Sequence, residues 1–218
     1  MNITTSLPTV NDILNLWQSN QKIEYLENLL RSTNRKGIEN IIAYIKESDF
    51  YIAPSSASYH SNYSGGLLDH SILVYLTAVR YRKAVIEMRP ELEALLPEES
   101  IIICTLLHDL CKTNFYKQVI KYRKDENNTW QSYVGYEIDD KFPIGHGEKT
   151  VIMLQNFGLE LSAEEMLAIR YHMGSWDGAL FTNDVKYAYG KAIDMCPMIN
   201  LIQSADNTSS LLFEKKIN

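Results

Sequence analysis

Apolar residues recur at three- and four-residue spacing along most of the chain, the pattern of helices that bury one face. Between residues 8 and 50, Ile13, Leu14, Leu16 and Trp17 fall together, and Ile23, Leu26 and Leu30 follow. A third stripe, Ile38, Ile41, Ile42 and Ile45, starts after Gly37. The pattern breaks from 50 to 66, where Pro54, Ser55, Ser56, Ser58, Ser61, Ser64 and Gly65-Gly66 predict a loop. This loop carries Tyr59, His60 and Tyr63, and reads either as a pocket wall or as a solvated connection. Helical spacing resumes at Gly66-Leu67-Leu68-Asp69-His70 and runs through Leu73, Val74, Leu76 and Val79 to Arg80, Arg82 and Lys83, cations that suit a helix C-terminus. Pro90 and Pro97 bracket an acidic connection. The apolar run 101–107 then leads into His108-Asp109 and closes at Lys112, which predicts a buried helix with the pair near its end.

Beyond Lys112 the period changes to two. Tyr116, Gln118, Ile120 and Tyr122 alternate with Lys117, Val119, Lys121 and Arg123. After Asp125-Glu126-Asn127-Asn128, alternation returns with Trp130, Ser132, Val134, Tyr136 and Ile138, so 115–138 predicts a β-hairpin. Gly145-His146-Gly147-Glu148 opens another helix, with Val151, Leu154 and Phe157 on one face. Ser162-Ala163-Glu164-Glu165 is a capping-box pattern that starts a helix over 162–172, with His172 in its last turn. A loop over 175–185 precedes a last long helix over about 186–204, with Ile193, Met195, Met198, Ile199 and Ile202 buried. Asp206 follows on the same helix or at its end, and the tail Glu214-Lys215-Lys216 reads as solvated.

The reading is therefore all-α: a helical N-terminal extension, 1–50, packing on a main domain, 51–218, with a small hairpin inserted. At 218 residues the chain can bury a sizeable core. A net charge of −6 argues against a broad nucleic-acid-binding surface, although a local basic groove fits within it. No run reaches membrane-span length, and the first residues lack a basic region followed by an apolar one. Three cysteines, Cys104, Cys111 and Cys196, are an odd count without framework spacing. They suit a reducing compartment, and the expectation is a cytoplasmic protein.

The chemistry lies in residues that packing does not explain. A buried His beside a buried Asp must be satisfied, by its neighbours or by an ion. Four of the five histidines, His70, His108, His146 and His172, sit on or at the ends of helices otherwise given to packing, and Asp206 interrupts a late apolar stretch. With Asp109 they make four imidazoles and two carboxylates. If each helix of a bundle aims its member at the centre, six N and O ligands fit one or two divalent transition ions such as Fe, Mn, Co, Ni or Zn. No thiolate is required, unlike most structural zinc sites.

The order His70, His108-Asp109, Asp206 resembles the HD-domain superfamily of metal-dependent phosphohydrolases, over roughly residues 60–210. His146 and His172 match the two additional histidines of its dinuclear branch. The string Leu107-His108-Asp109-Leu110-Cys111-Lys112 is similar to the family's His-Asp-Ile-Gly-Lys, with Cys111 in place of Gly. The stretch from His60 to His70 resembles the HD nucleases related to the bacterial 3′–5′ exoribonuclease, with Asp69 where Glu is usual. The first 50 residues are too few and too helical for the OB-type domain those nucleases carry.

The resemblance implies an HD helical bundle in which His70, His108, Asp109 and Asp206 hold one ion, and Asp109 bridges to a second held by His146 and His172. It implies a hydroxide activated by the ions attacking phosphorus, with a phosphorylated small molecule, a nucleotide or a short nucleic-acid end as substrate. Lys112 would reach a phosphate oxygen, or else is a helix-end cation. His60 would protonate a leaving oxygen, or else is a plain loop histidine. Lys117 and Lys121, with Arg123 and Lys124, would face an anionic ligand, or else form a solvated strand face. Trp176, Phe181, Tyr116 and Tyr133 would stack on a base, or else pack. Two other classes use the same ligands: a di-iron oxygenase of the HD type, and a nucleotide-binding module with weak catalysis.

Overall fold

The computed structural model describes residues 7–177 and 182–215. After a π-helical turn at Asp12–Leu16 come α1 (Ser19–Ser32), α2 (Ile38–Glu47), α3 (Gly66–Met88) and α4 (Glu98–Leu107). The hairpin strands β1 (Tyr116–Lys124) and β2 (Trp130–Ile138) follow, then α5 (His146–Asn156), α6 (Ala163–Arg170), α7 (Asn183–Met195) and α8 (Pro197–Thr208). The architecture is all-α with one antiparallel hairpin, as the periodicity predicts. Among the described residues, no helix is long and apolar enough to cross a membrane.

The first half of α3 is buried all round, from Gly66 to Ala78. A helix apolar on every side belongs at the centre of a bundle, and α3 packs against both α4 and α8. Burying each Leu or Ile of this core contributes about 1.5–3 kcal/mol. The N-terminal stripes join the same apolar cluster: Ile13, Leu26, Leu30, Ile38, Ile41, Ile42 and Ile45 pack with residues of α3, α4 and α8. Polar ties reinforce this. Arg35 donates to both carboxylate oxygens of Glu165, at 2.7 and 2.8 Å, and Lys22 meets Asp69 at 2.6 Å.

Capping decides where α6 begins. The Glu165 amide donates to Ser162 Oγ, and the Ser162 amide donates to the Glu165 carboxylate, which satisfies donors that the first helical turn leaves open. The hairpin pairs Tyr116 with Ile138 through Lys124 with Trp130. Its turn is held by Asp125, whose carboxylate accepts from the amides of Asn127 and Thr129.

Four expectations need correction. First, α4 stops at Leu107, so His108 and Asp109 lie beyond the helix, before a tight turn at Leu110–Lys112. Asp109 leaves helical geometry, with φ −103° and ψ 17°. Successive helical side chains diverge by about 100°, and leaving the helix lets both residues join one cluster. Second, α6 ends at Arg170, so His172 sits in the turn that follows. Third, the last long helix is two helices. Pro197, with no amide hydrogen, cannot extend the α7 ladder and instead occupies the first turn of α8. Met195, at the end of α7, is exposed rather than buried. Fourth, Glu214 is not solvated: its side chain is fully buried against His70.

Candidate metal centre

The six residues expected as ligands converge, although they come from five separate segments. Ligand atoms of His70, His108 and Asp109 lie within 4.8 Å of one another, as do those of His108, His172 and Asp206, and those of Asp109, His146 and His172. Asp109 is shared, and its two oxygens face different partners. Oδ2 is 3.4 Å from Nε2 of both His70 and His108. Oδ1 is 2.7 Å from His146 Nε2 and 3.6 Å from His172 Nε2. Asp206 Oδ1 closes the first group, 3.3 Å from His70 Nε2.

All four imidazoles present Nε2 to the centre because each Nδ1 is engaged behind. His108 Nδ1 donates to the Thr105 carbonyl, and His172 Nδ1 to the Ile169 carbonyl, both at 2.7 Å. Both acceptors belong to the last turn of a helix, where carbonyls lack an intrahelical partner. A histidine three residues on takes up that carbonyl and is thereby fixed as the tautomer whose Nε2 carries the lone pair. His70 Nδ1 donates to Glu214 at 2.7 Å. His146 Nδ1 lies 3.1 Å from Cys111 Sγ. Metal-bound histidines characteristically show this arrangement, the outward nitrogen bonded and the inward one free to ligate.

Two glycines permit the convergence. A Cβ on Gly147 would lie 2.2 Å from the Arg170 carbonyl oxygen, so only glycine lets the start of α5 meet the end of α6. That contact brings the His146 and His172 rings to 5.2 Å between centroids. A Cβ on Gly66 would lie 1.9 Å from the Ser61 carbonyl oxygen. Glycine there seats the 55–61 loop, with His60, against the start of α3.

Electrostatics agree with a site built for cations. Burial raises the Asp109 carboxyl, but Lys112, His108 and His146 outweigh it and hold the group well below the usual carboxylate range. Asp206 is likewise lowered against burial, chiefly by His70. Burial opposes charge on His70, yet Glu214, Asp109 and Asp206 raise it well above the ordinary histidine value. Lys112, raised against burial by Asp109, places its ammonium 2.6 Å from Asp109 Oδ2.

A divalent ion fits this donor set. His172 Nε2 is buried without a hydrogen-bond partner, an arrangement that is costly for a polar atom. It points toward carboxylate and imidazole donors typical of first-row transition ions. Solvent reaches the cluster, since His146 and Asp206 keep 28% and 15% of their side chains exposed.

His60 stands next to the cluster, its ring 5.0 Å from that of His70. Burial, with the nearby charges of His70 and Lys112, pushes its pKa down to about 4. It is therefore a neutral imidazole at pH 7. A neutral imidazole accepts a proton readily, but donates one to a leaving oxygen only after gaining a second.

The remaining residues expected to face a ligand have the following neighbours. Lys117 approaches Glu137 at 3.9 Å. Lys121 donates to the Tyr136 carbonyl, and Arg123 and Lys124 lie over the rings of Tyr133 and Trp130. These cations are engaged within the hairpin itself. The Tyr116 hydroxyl donates to the Ser55 carbonyl. Trp176 is 75% exposed, four residues beyond His172. Phe181 lies outside the described residues.

Glu214, expected in a solvated tail, belongs to the site. Besides His70, it accepts from Ser61 Oγ at 2.5 Å. No local pattern announces it, because its partner His70 is 144 residues away along the chain.

Comparison with known families agrees with this geometry. The HD domain model matches residues 67–211. That span contains the six clustered residues and Lys112, and leaves out His60 and Glu214. No curated protein and no solved structure matches the chain.

Proposed function

We propose that this chain, which belongs to the HD domain family, is a phosphohydrolase that uses two divalent transition ions on a nucleotide or a short nucleic-acid end. HD domains bind divalent metals and are generally metal-dependent phosphohydrolases, and the buried His/Asp cluster fits that chemistry. The observation that carries the two-ion reading is the orientation of Asp109. One oxygen faces the His70–His108 pair and the other faces the His146–His172 pair, as a bridging carboxylate must.

His70, His108, Asp109 and Asp206 would hold one ion, and Asp109, His146 and His172 the other. Ions there would lower the pKa of a water and offset charge on phosphoryl oxygens. Lys112 serves the same end from the protein side. Its ammonium is buried beside Asp109 and offers a fixed positive charge to a phosphate oxygen. Neutral His60 is suited to take a proton near His70. The nucleotide part of the reading is supported by the motif likeness of 60–70 to HD nucleases. Trp176, exposed four residues beyond His172, would offer an aromatic face to a base.

The test is Mn²⁺-supplemented turnover of bis-p-nitrophenyl phosphate, p-nitrophenyl phosphate and nucleotides. Phosphate or nitrophenolate release should disappear when His108 and Asp109 are both replaced by Ala. Unchanged turnover in that double variant would rule the mechanism out. Two irons with O₂ consumption and no hydrolysis would move the chain to the oxygenase class.

A further inference from the structure

We infer that Glu214 is a positioning residue for the ion held through His70, a role that rests on the metal-centre reading above. The four imidazoles are held in three different ways. His108 and His172 are fixed by neutral backbone carbonyls, and His146 by the Cys111 sulfur. His70 alone among the four has its Nδ1 bonded to a carboxylate, Glu214 Oε1, at 2.7 Å. An anionic acceptor holds the Nδ1 proton more firmly than a carbonyl does, and makes the opposite nitrogen a stronger donor to a metal.

Glu214 is itself fixed on both sides. Its second oxygen accepts from Ser61 Oγ, on the loop that also delivers His60, and its side chain is fully buried. Ser61 is held in the left-handed region, φ 42°, and its carbonyl accepts from the Ser55 amide. The carboxylate therefore joins three segments that are distant in sequence: the 55–61 loop, the start of α3, and the turn at Ser209–Phe213 that follows α8. That turn continues directly from the helix carrying Asp206, and Ser210 Oγ donates to Asp206 Oδ1. The C-terminal segment thus contacts two ligands of the same proposed ion, His70 through Glu214 and Asp206 through Ser210.

Glu214 lies three residues past the span matched by the family model, 67–211.

The experiment is a chelator-competition titration of the full chain with Zn²⁺, resolving the two affinities in wild type, E214Q and E214A. Long-range ¹H–¹⁵N spectra of the zinc-loaded protein report the His70 tautomer. E214A should weaken one of the two ions about 10–100-fold and leave the other unchanged. E214Q, whose amide oxygen still accepts the Nδ1 proton, should recover part of that loss. A purely structural role would lower the melting temperature and weaken both ions together. In wild type, His70 should carry its proton on Nδ1 in a slowly exchanging hydrogen bond. Should E214A fail to fold, E214Q and the wild-type tautomer decide the matter. Equal affinities in E214Q and wild type, or a His70 without a protected Nδ1 proton, would overturn the inference. If wild type takes up no zinc, the metal-centre reading itself fails. If wild type binds two ions and E214A binds them equally well, only the role of Glu214 fails.

Discussion

Lys112 Nζ stands 2.6 Å from Asp109 Oδ2, the same oxygen that faces His70 and His108. The ammonium therefore shares a carboxylate with the proposed ion site, and under the proposed function it would meet a phosphate oxygen. Lys112→Gln should retain bound Mn²⁺ but lower kcat on a phosphate ester by roughly 10²–10³-fold, the usual cost of removing one preorganised charge donor. Steady-state kinetics alongside metal analysis would check this. Wild-type kcat in the variant would return Lys112 to the role of a helix-end cation.

Gly147 is a second sensitive point. A methyl group there meets the Arg170 carbonyl oxygen at 2.2 Å, and backbone cannot swing aside as a side chain can. Gly147→Ala should cost about 1–3 kcal/mol in urea unfolding. It should also separate His146 from His172, so that bound Mn²⁺ falls from two ions to one. Wild-type stability together with a full metal complement would show that the α5–α6 contact adjusts.

The N-terminal segment is tied to α6 through Arg35, which reaches Glu165 with two hydrogen bonds. Glu165 is wholly buried and also accepts from Ser100 Oγ. Removing Arg35 leaves a buried carboxylate short of its counter-charge, which costs about 3–5 kcal/mol. The denaturation midpoint of Arg35→Ala should fall accordingly. An unchanged midpoint would mean that water replaces the guanidinium.

His60 predicts a pH dependence. Its folded pKa, about 4, lies below its unfolded value of about 6.5. Between those values the unfolded chain binds more protons, so acidification favours unfolding. The metal-free protein should lose up to about 3 kcal/mol from this group between pH 6.5 and pH 4, with no further loss from it below pH 4. His60→Asn should flatten that part of the stability curve. Identical slopes in variant and wild type would place the proton elsewhere.

These residues also mark how far the sequence could be read. The helical stripes, the hairpin and the capping box at Ser162 follow from local periodicity and local hydrogen bonding, and the structure agrees with them. The convergence of His70, His108, Asp109, His146, His172 and Asp206 was legible because buried ionisable residues on packing helices need a shared explanation, and the HD-domain resemblance supplied one. Helix ends were harder to read. His108 and His172 extend an apolar pattern without belonging to the helix, since the chain turns to satisfy terminal carbonyls. The break at Pro197 was legible in principle, because proline cannot extend a helix from within. Glu214 and the Arg35–Glu165 pair were not legible. Each depends on partners more than a hundred residues away, and such pairing leaves no periodic trace.

The most direct test of the account is the metal content of purified full-length protein after reconstitution with Mn²⁺, measured by elemental analysis in wild type and Asp109→Ala. If Asp109 links two histidine pairs around two ions, wild type should carry about two ions per chain and the variant should lose both. A wild-type protein that retains no ion, or an Asp109→Ala protein that retains two, would contradict it.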